Sequence, residues 1–193
     1  MLPQQFHTHT ALAEGLRDLF KQLEERLALS QPLAVYLAGG MAVHLYTANR
    51  VTCDVDAEFS SRVLLPNDLV IEKTLEDGSS QAIFLDTNYN SSFALMHEDY
   101  HQDALPVDLG LAHIQLRVLS PVDLAVSKIA RLADNDREDI QALVRLGLTT
   151  ADAIEKRATS ALNGYVGGQA MLLVNIKDAV ALARKAELQN TDH

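Results

Sequence analysis

The stretch that most constrains this chain is residues 37–59, where a pair of glycines is followed at short range by a segment of strictly alternating character. Thr52, Asp54, Asp56 and Glu58 interleave with Cys53, Val55, Ala57 and Phe59, a period of two that sends one set outward and the other into a core. Both aspartates therefore share a face, roughly 6–7 Å apart along the strand. Ahead of them, Leu37 and Ala38 read as the end of a buried strand, Gly39-Gly40 as a turn, and the residues through Asn49 as a short helix.

Two carboxylates so placed repel each other unless something of opposite charge lies between them. A hard divalent cation such as Mg²⁺ meets that need, because it takes oxygen ligands and is commonly bound by one or two carboxylates together with substrate phosphates. Glycines at the start of a helix let the backbone come close to a ligand, and the free N–H groups there suit a phosphate. Metal-binding and phosphate-binding elements are thus neighbours in the sequence.

The joint pattern is Ala38-Gly39-Gly40 and, thirteen residues later, Asp54-Val55-Asp56-Ala57. It resembles the signature of the nucleotidyltransferase superfamily that includes DNA polymerase beta: an apolar residue, two small residues, then an acid-apolar-acid strand. The resemblance implies an α+β architecture, the minimal nucleotidyltransferase fold, in which helices cover a mixed sheet. It implies Asp54 and Asp56 as catalytic metal ligands and Gly39 and Gly40 as the nucleotide-binding turn. It also implies a third carboxylate from a neighbouring strand. Asp108, facing out of the alternating run Leu105, Val107, Leu109 and Leu111, fits that place, with Asp103 and Asp99 in reserve. Three acids suffice to hold two Mg²⁺ ions.

A second resemblance is carried by the segment 120–143, which contains Pro121-x-Asp123-Leu124, Ser127-Lys128 and Asp136-x-Glu138-Asp139. It is similar to a bacterial family of unknown-function nucleotidyltransferases related to the abortive-infection type E toxins. In such relatives an Arg and a Ser or Thr precede the acidic strand, which marks Arg50 and Thr52 as nucleotide-binding candidates. Arg50 equally suits a simple ion pair with Glu58 or another acid. By the same resemblance Lys128 would hold phosphate, with Arg131 on a shared helix face. The ordinary alternative for Lys128 is a solvated lysine on an amphipathic helix.

The rest of the chain supplies a scaffold. Leu12, Leu16, Leu19, Phe20, Leu23 and Leu27 form one apolar stripe over residues 10–29, an amphipathic helix suited to covering a sheet. Residues 33–37 read as a buried strand, and residues 70–75 and 82–85 as a hairpin around Asp77-Gly78. The polar run 86–101 reads either as a substrate loop or as a surface loop closed by its own Asx turns. From Ser120 onward the pattern is helical. Pro121 opens the first helix, Asn135 with Glu138 resembles a capping box, Thr149 with Asp152 starts a further helix, and the last runs from about Gln169 to Ala186. The expected division is a sheet domain over 1–118 followed by a helical bundle over 119–193.

Several tempting residues carry weaker claims. His7 and His9 lie in an exposed leader, His97 and His101 lack a firm helix to align them, and His44 suits a packing role better than catalysis. Cys53, the single cysteine, falls on the inward face of the acidic strand, where a structural thiol is the ordinary reading.

Charge limits the partners. Residues 1–116 hold 6 basic and 16 acidic side chains while residues 117–193 hold 10 of each, so the net charge of −10 belongs to the half with the acids. That surface disfavours non-specific DNA binding, which depends on phosphate neutralisation. No apolar run approaches the roughly 18–20 residues of a membrane span, and the N-terminus has no basic-then-apolar leader, so a cytoplasmic protein is expected. The reading reached from sequence is a Mg-dependent transfer of a nucleotidyl group from a nucleoside triphosphate to an acceptor, protein or RNA. The protein could be a toxin with an antitoxin partner. A catalytically inactive nucleotide- or partner-binding module of the same fold is the alternative, and a metal-dependent phosphodiesterase lacks the further ordered ligands it would need.

Overall fold

A computed structural model describes residues 5–190, with the backbone alone considered at Asn190. The first helix, α1 (Ala11–Leu27), begins where Thr10 turns its hydroxyl back to accept the Ala13 N–H at 3.2 Å. It ends at Ala28, which adopts the left-handed conformation. Leu12, Leu16, Leu19, Phe20 and Leu23 of the predicted stripe are fully buried. That face lies on a hairpin of β4 (Val70–Thr74) and β5 (Ser80–Leu85), so closely that a side chain at Gly15 would come within 2.9 Å of the Lys73 stem.

The sheet has two parts sharing one continuous segment. In the first, β1 (Leu33–Leu37) lies parallel to β7 (Ile114–Val118) and antiparallel to β3 (Ala57–Phe59), while β6 (Leu105–Pro106) pairs with the far side of β7. In the second, β2 (Asp54–Val55) lies parallel to β5, which in turn pairs with β4. Residues 54–59 thus leave one hydrogen-bonded partner and take up another, and Asp56 stands at the changeover.

Sequence reading placed the neighbouring inward strand at 104–111, and the structure moves it. The long partner of β1 is β7, whose Ile114, Leu116 and Val118 are buried while Gln115 is exposed. Only Leu105 and Pro106 pair upstream of it. The chain turns at Gly110, which has φ +68°, and the Asp108 carboxylate accepts the Gly110 N–H at 2.8 Å. Val107 and Leu109 are buried even so, which is why the alternation looked like a strand.

Glu24 ties α1 to this sheet. Its carboxylate accepts the backbone N–H groups of His113 and Ile114 at 2.6 Å and of Ala112 at 3.2 Å, at the entry to β7. Burial pushes its pKa up, but the N–H groups of Ile114, His113 and Ala112 outweigh that and hold it below its ordinary 4.5.

The chain forms two compact units. One runs up to Tyr89 and includes Ala104–Val118; the other comprises Asn90–Asp103 and everything from Leu119 on. The second unit contains α3 (Tyr100–Asp103), α4 (Pro121–Ser127), α5 (Asp134–Arg145), α6 (Ala151–Ala161) and α7 (Gln169–Asn190). Arg157 of α6 joins three of them, reaching Asp123 through Nε and Nη2 at 2.7 and 2.8 Å and Asp103 at 2.7 Å. His97 anchors the 90–103 segment. Its Nδ1 accepts the Asp99 N–H at 3.1 Å, which leaves Nε2–H to donate to Ser160 Oγ at 3.0 Å. Two predicted caps shift by a residue or two. Asp136, rather than Asn135 with Glu138, accepts the Ala133 N–H at the start of α5, and Thr150, rather than Thr149, caps α6. Among the described residues no helix is long and apolar enough to cross a membrane.

Replacing Glu24 with Ala leaves three backbone donors without their carboxylate and is expected to lower the unfolding free energy by about 1–3 kcal/mol in urea titrations at neutral pH. Because the native pKa is depressed, this stabilisation is complete above 4.5 and is lost as pH falls through the lowered native value. The variant and the parent should therefore converge in stability in acid.

Candidate functional site

The site is built at the changeover. The Asp56 carbonyl accepts the Ala38 N–H at 2.9 Å, which binds the acidic segment to the entrance of α2 (Gly39–Thr47). On the other side, β2 and β5 run parallel with Asp54 opposite Phe84 and Val55 opposite Leu85. Carrying that register one residue further sets Asp86 beside Asp56, and the Asp86 N–H donates to the Val55 carbonyl at 3.0 Å. Asp54, Asp56 and Asp86, all half-buried, each offer a carboxylate oxygen, and these three atoms lie within 4.8 Å of one another.

The acid that the structure brings to Asp54 and Asp56 is Asp86, and Asp108 is not in the cluster. Leu105 is level with Val118, and the Val107 N–H reaches the Leu116 carbonyl. Asp108 follows toward the start of β7, whose first residues Ile114 and Gln115 lie beside Leu33 and Ala34. The glycine turn follows Leu37, at the other end of β1. Four residues of strand put about 13 Å between those levels, and two strand spacings add to it. Asp103 and Asp99, the reserves, do not join the cluster either. Asp103 holds Arg157, and Asp99 N–H is bound to His97. No alternation in the sequence marked Asp86, because Ile83, Phe84 and Leu85 are all apolar. Ile83 and Leu85 are buried and Phe84 is exposed, so Asp86 continues the outward face of a strand, yet the polar run that follows made it look like the first residue of a loop.

Gly39 is required by what faces it, and Gly40 lies tightly against Thr52. Gly39 has φ +64°, and a Cβ there would overlap the Asp56 carboxylate; a Cβ on Gly40 would stand 3.1 Å from Thr52 Cβ and Oγ1. Gly39 thus combines a left-handed conformation with close approach of an acid. The N-cap residue of α2, Ala38, makes no side-chain cap hydrogen bond, and N–H groups at a helix start suit a phosphate.

Two of the acids are held from behind. Thr52 Oγ1 donates to Asp54 Oδ1 at 2.5 Å, and Asp86 Oδ1 accepts the Asn88 N–H at 2.9 Å in an Asx turn. Arg50, half-buried, donates from Nη1 to the Val51 carbonyl at 2.7 Å. Its loop is fixed by His44, which is buried in α2. His44 Nδ1 lies 2.7 Å from the Arg50 carbonyl and must donate to it, so Nε2 accepts from the Thr10 hydroxyl at 2.7 Å. That relay needs a neutral imidazole, and burial, the largest influence, does lower the His44 pKa below 6.5.

The expected phosphate-holding residues of the helical segment have other partners. Lys128 is buried in the second unit, with Nζ 2.7 Å from Asp139 and 3.8 Å from Asp136. Arg131 forms a fork on Asp136, Nε to Oδ2 at 2.7 Å and Nη2 to Oδ1 at 2.8 Å. Burial raises the Asp136 carboxyl, but Arg131 and Lys128 together overcome this and hold it below the ordinary 3.8. Lys128, Asp136 and Asp139 of the second motif are in this way a buried ion network at the start of α5, with the exposed Arg131 at its edge. His101 lies against Tyr100 with tilted rings, centroids 4.1 Å apart, His97 is engaged with Ser160, and among the described residues neither histidine belongs to a metal-ligand group. Cys53 is half-buried.

Three clustered carboxylates at a glycine-led helix are oxygen donors of the type a hard divalent cation takes. Residues 14–175 match a family described as nucleotidyltransferases of unknown function (DUF6036). The chain belongs to that family. No curated protein matches the chain, and no solved structure does. In this DUF6036 member the acidic cluster lies within the matched residues, and the α+β sheet with its following helices agrees with a minimal nucleotidyltransferase fold.

The neutral His44 gives a pH test. Its depressed native pKa means that its contribution to stability is complete above 6.5 and is lost as the unfolded state takes up a proton below that value, by up to about 1.4 kcal/mol per pH unit. Comparing urea midpoints of the parent and of His44→Asn, the steeper loss of stability in the parent should begin near 6.5, well above the range in which Glu24 and Asp136 titrate.

Proposed function

We propose that the protein transfers a nucleoside monophosphate group from a nucleoside triphosphate to a hydroxyl acceptor, with Asp54, Asp56 and Asp86 holding Mg²⁺. The observation that carries this reading is the convergence of the three carboxylates next to the uncapped start of α2. Divalent ions bound there would neutralise phosphate charge and align the reacting groups. The chain's own part is binding and positioning. The first-turn N–H groups at Gly39 and Gly40 receive the terminal phosphates, while Arg50, next to the acidic segment, meets nucleotide or acceptor charge. The acceptor oxygen forms a bond to the α-phosphorus, the bond to the bridging oxygen breaks, and pyrophosphate departs. The acceptor proton passes to a carboxylate, with Asp86 the candidate base.

Lys128 and Arg131 are assigned here to the stability of the helical unit. The acceptor is a protein or an RNA end. The likeness to abortive-infection type E toxins supports a toxin acting in the cytoplasm, restrained by an antitoxin protein. The acidic first half argues for an acceptor held locally rather than along an extended nucleic-acid surface.

The test is incubation of the purified protein with each α-labelled nucleoside triphosphate, MgCl₂ and a bacterial extract. Label should pass to a macromolecule, and Asp54→Asn, Asp56→Asn and Asp86→Asn should each reduce transfer by at least about a hundredfold, whereas Asp108→Asn should stay near the parent. Nucleotide binding without any transfer would instead establish a binding module, and full activity in Asp86→Asn would overturn the assignment of the third acid.

A further inference from the structure

We propose that Thr52 is a positioning residue that sets both the affinity and the ionic preference of the acidic site, an inference that rests on the metal-binding reading above. Its hydroxyl donates to Asp54 Oδ1 at 2.5 Å, and Asp86 Oδ1 is engaged in the same manner by the Asn88 N–H at 2.9 Å. Each of these two carboxylates therefore has one oxygen engaged by the protein, which favours ligation through the other. Ligation through one oxygen per carboxylate suits a small ion with strict octahedral demands, such as Mg²⁺ or Mn²⁺. Ca²⁺, with more ligands and a larger radius, gains from a carboxylate able to bind through both oxygens.

Thr52 is itself held in place. Its side chain packs on the Gly40 backbone, where an added Cβ would find Thr52 Cβ, Oγ1 and Cγ2 at 3.1–3.3 Å. Two residues earlier the Arg50 carbonyl is fixed by buried His44. Thr52 thus sits between the Gly40 backbone and a loop fixed by His44, and its branched side chain fills space that valine would fill equally well. Thr52→Val removes the donor and keeps the shape.

The experiment is calorimetric titration of the full chain with MnCl₂ alone and with CaCl₂ alone, in the absence of nucleotide. Thr52→Val is expected to bind Mn²⁺ about 10–100-fold more weakly than the parent, with a smaller loss for Ca²⁺, so that the ratio of the two affinities narrows. Thr52→Ser should restore the parent values, and Thr52→Ala, which lacks the same hydroxyl, should match Thr52→Val. Thermal melting of the metal-free proteins separates this from unfolding. Mn²⁺ affinity within twofold of the parent in Thr52→Val, or an equal loss for both ions, would overturn the positioning role while leaving the metal site intact. Absence of Mn²⁺ binding in the parent would overturn the metal reading itself.

Discussion

A single backbone hydrogen bond, from Ala38 N–H to the Asp56 carbonyl, lies at the point where every functional element of the first unit meets. It closes the end of β1 onto the segment that passes from β2 to β3, and so fixes the distance between the glycine turn and the acids. With that distance set, Asp56 lies against Gly39 so closely that no other residue type fits there. The parallel pairing of β2 with β5 then brings Asp86 alongside. Carboxylates gathered this way oppose their own proximity, and the surrounding structure holds two of them by hydrogen bonds, Thr52 to Asp54 and the Asn88 N–H to Asp86.

Much of this was legible in the sequence because strand periodicity is strict. Once Asp54 and Asp56 fall on alternate positions of one strand, their common face follows from the pleat, and the glycine pair ahead of them has few other uses. The third acid was not legible, for a reason that is also physical. A ligand on a neighbouring strand is defined by pairing register, and register comes from tertiary contacts rather than from any residue's own character. Asp108 sat in a convincing alternation, but Pro106 cannot donate to a ladder and Gly110 turns the chain. Asp86 lay at the end of a recognised hairpin strand and was hidden by the polar residues after it.

The helical motif shows the opposite failure. Lys128, Arg131, Asp136 and Asp139 are the residue types of a phosphate site, and a linear reading cannot distinguish a cation that waits for a ligand from one that already has a partner. Burial separates the cases. Lys128 is 6% exposed and Asp139 3%, and an ammonium at that depth without its carboxylates would carry a large desolvation cost. The same reasoning explains Arg157, whose two aspartates come from parts of the sequence far from it. Such networks fix the register of helices that otherwise touch through interchangeable apolar side chains.

The distribution of charge gives the proposed chemistry its order of events. The acidic excess is confined to the half of the chain containing the site, so a bare triphosphate approaching the three carboxylates meets repulsion of the same sign. A divalent cation reverses the sign locally, and linkage requires that the nucleotide then strengthen cation binding by the factor by which the cation strengthens nucleotide binding. Pre-set carboxylates make that coupling strong, because little rearrangement is needed when the ion arrives. In the proposed reaction the supports of the loop ahead of the acids, from Thr10 through His44 to the Arg50 carbonyl, would act on nucleotide affinity without touching the nucleotide.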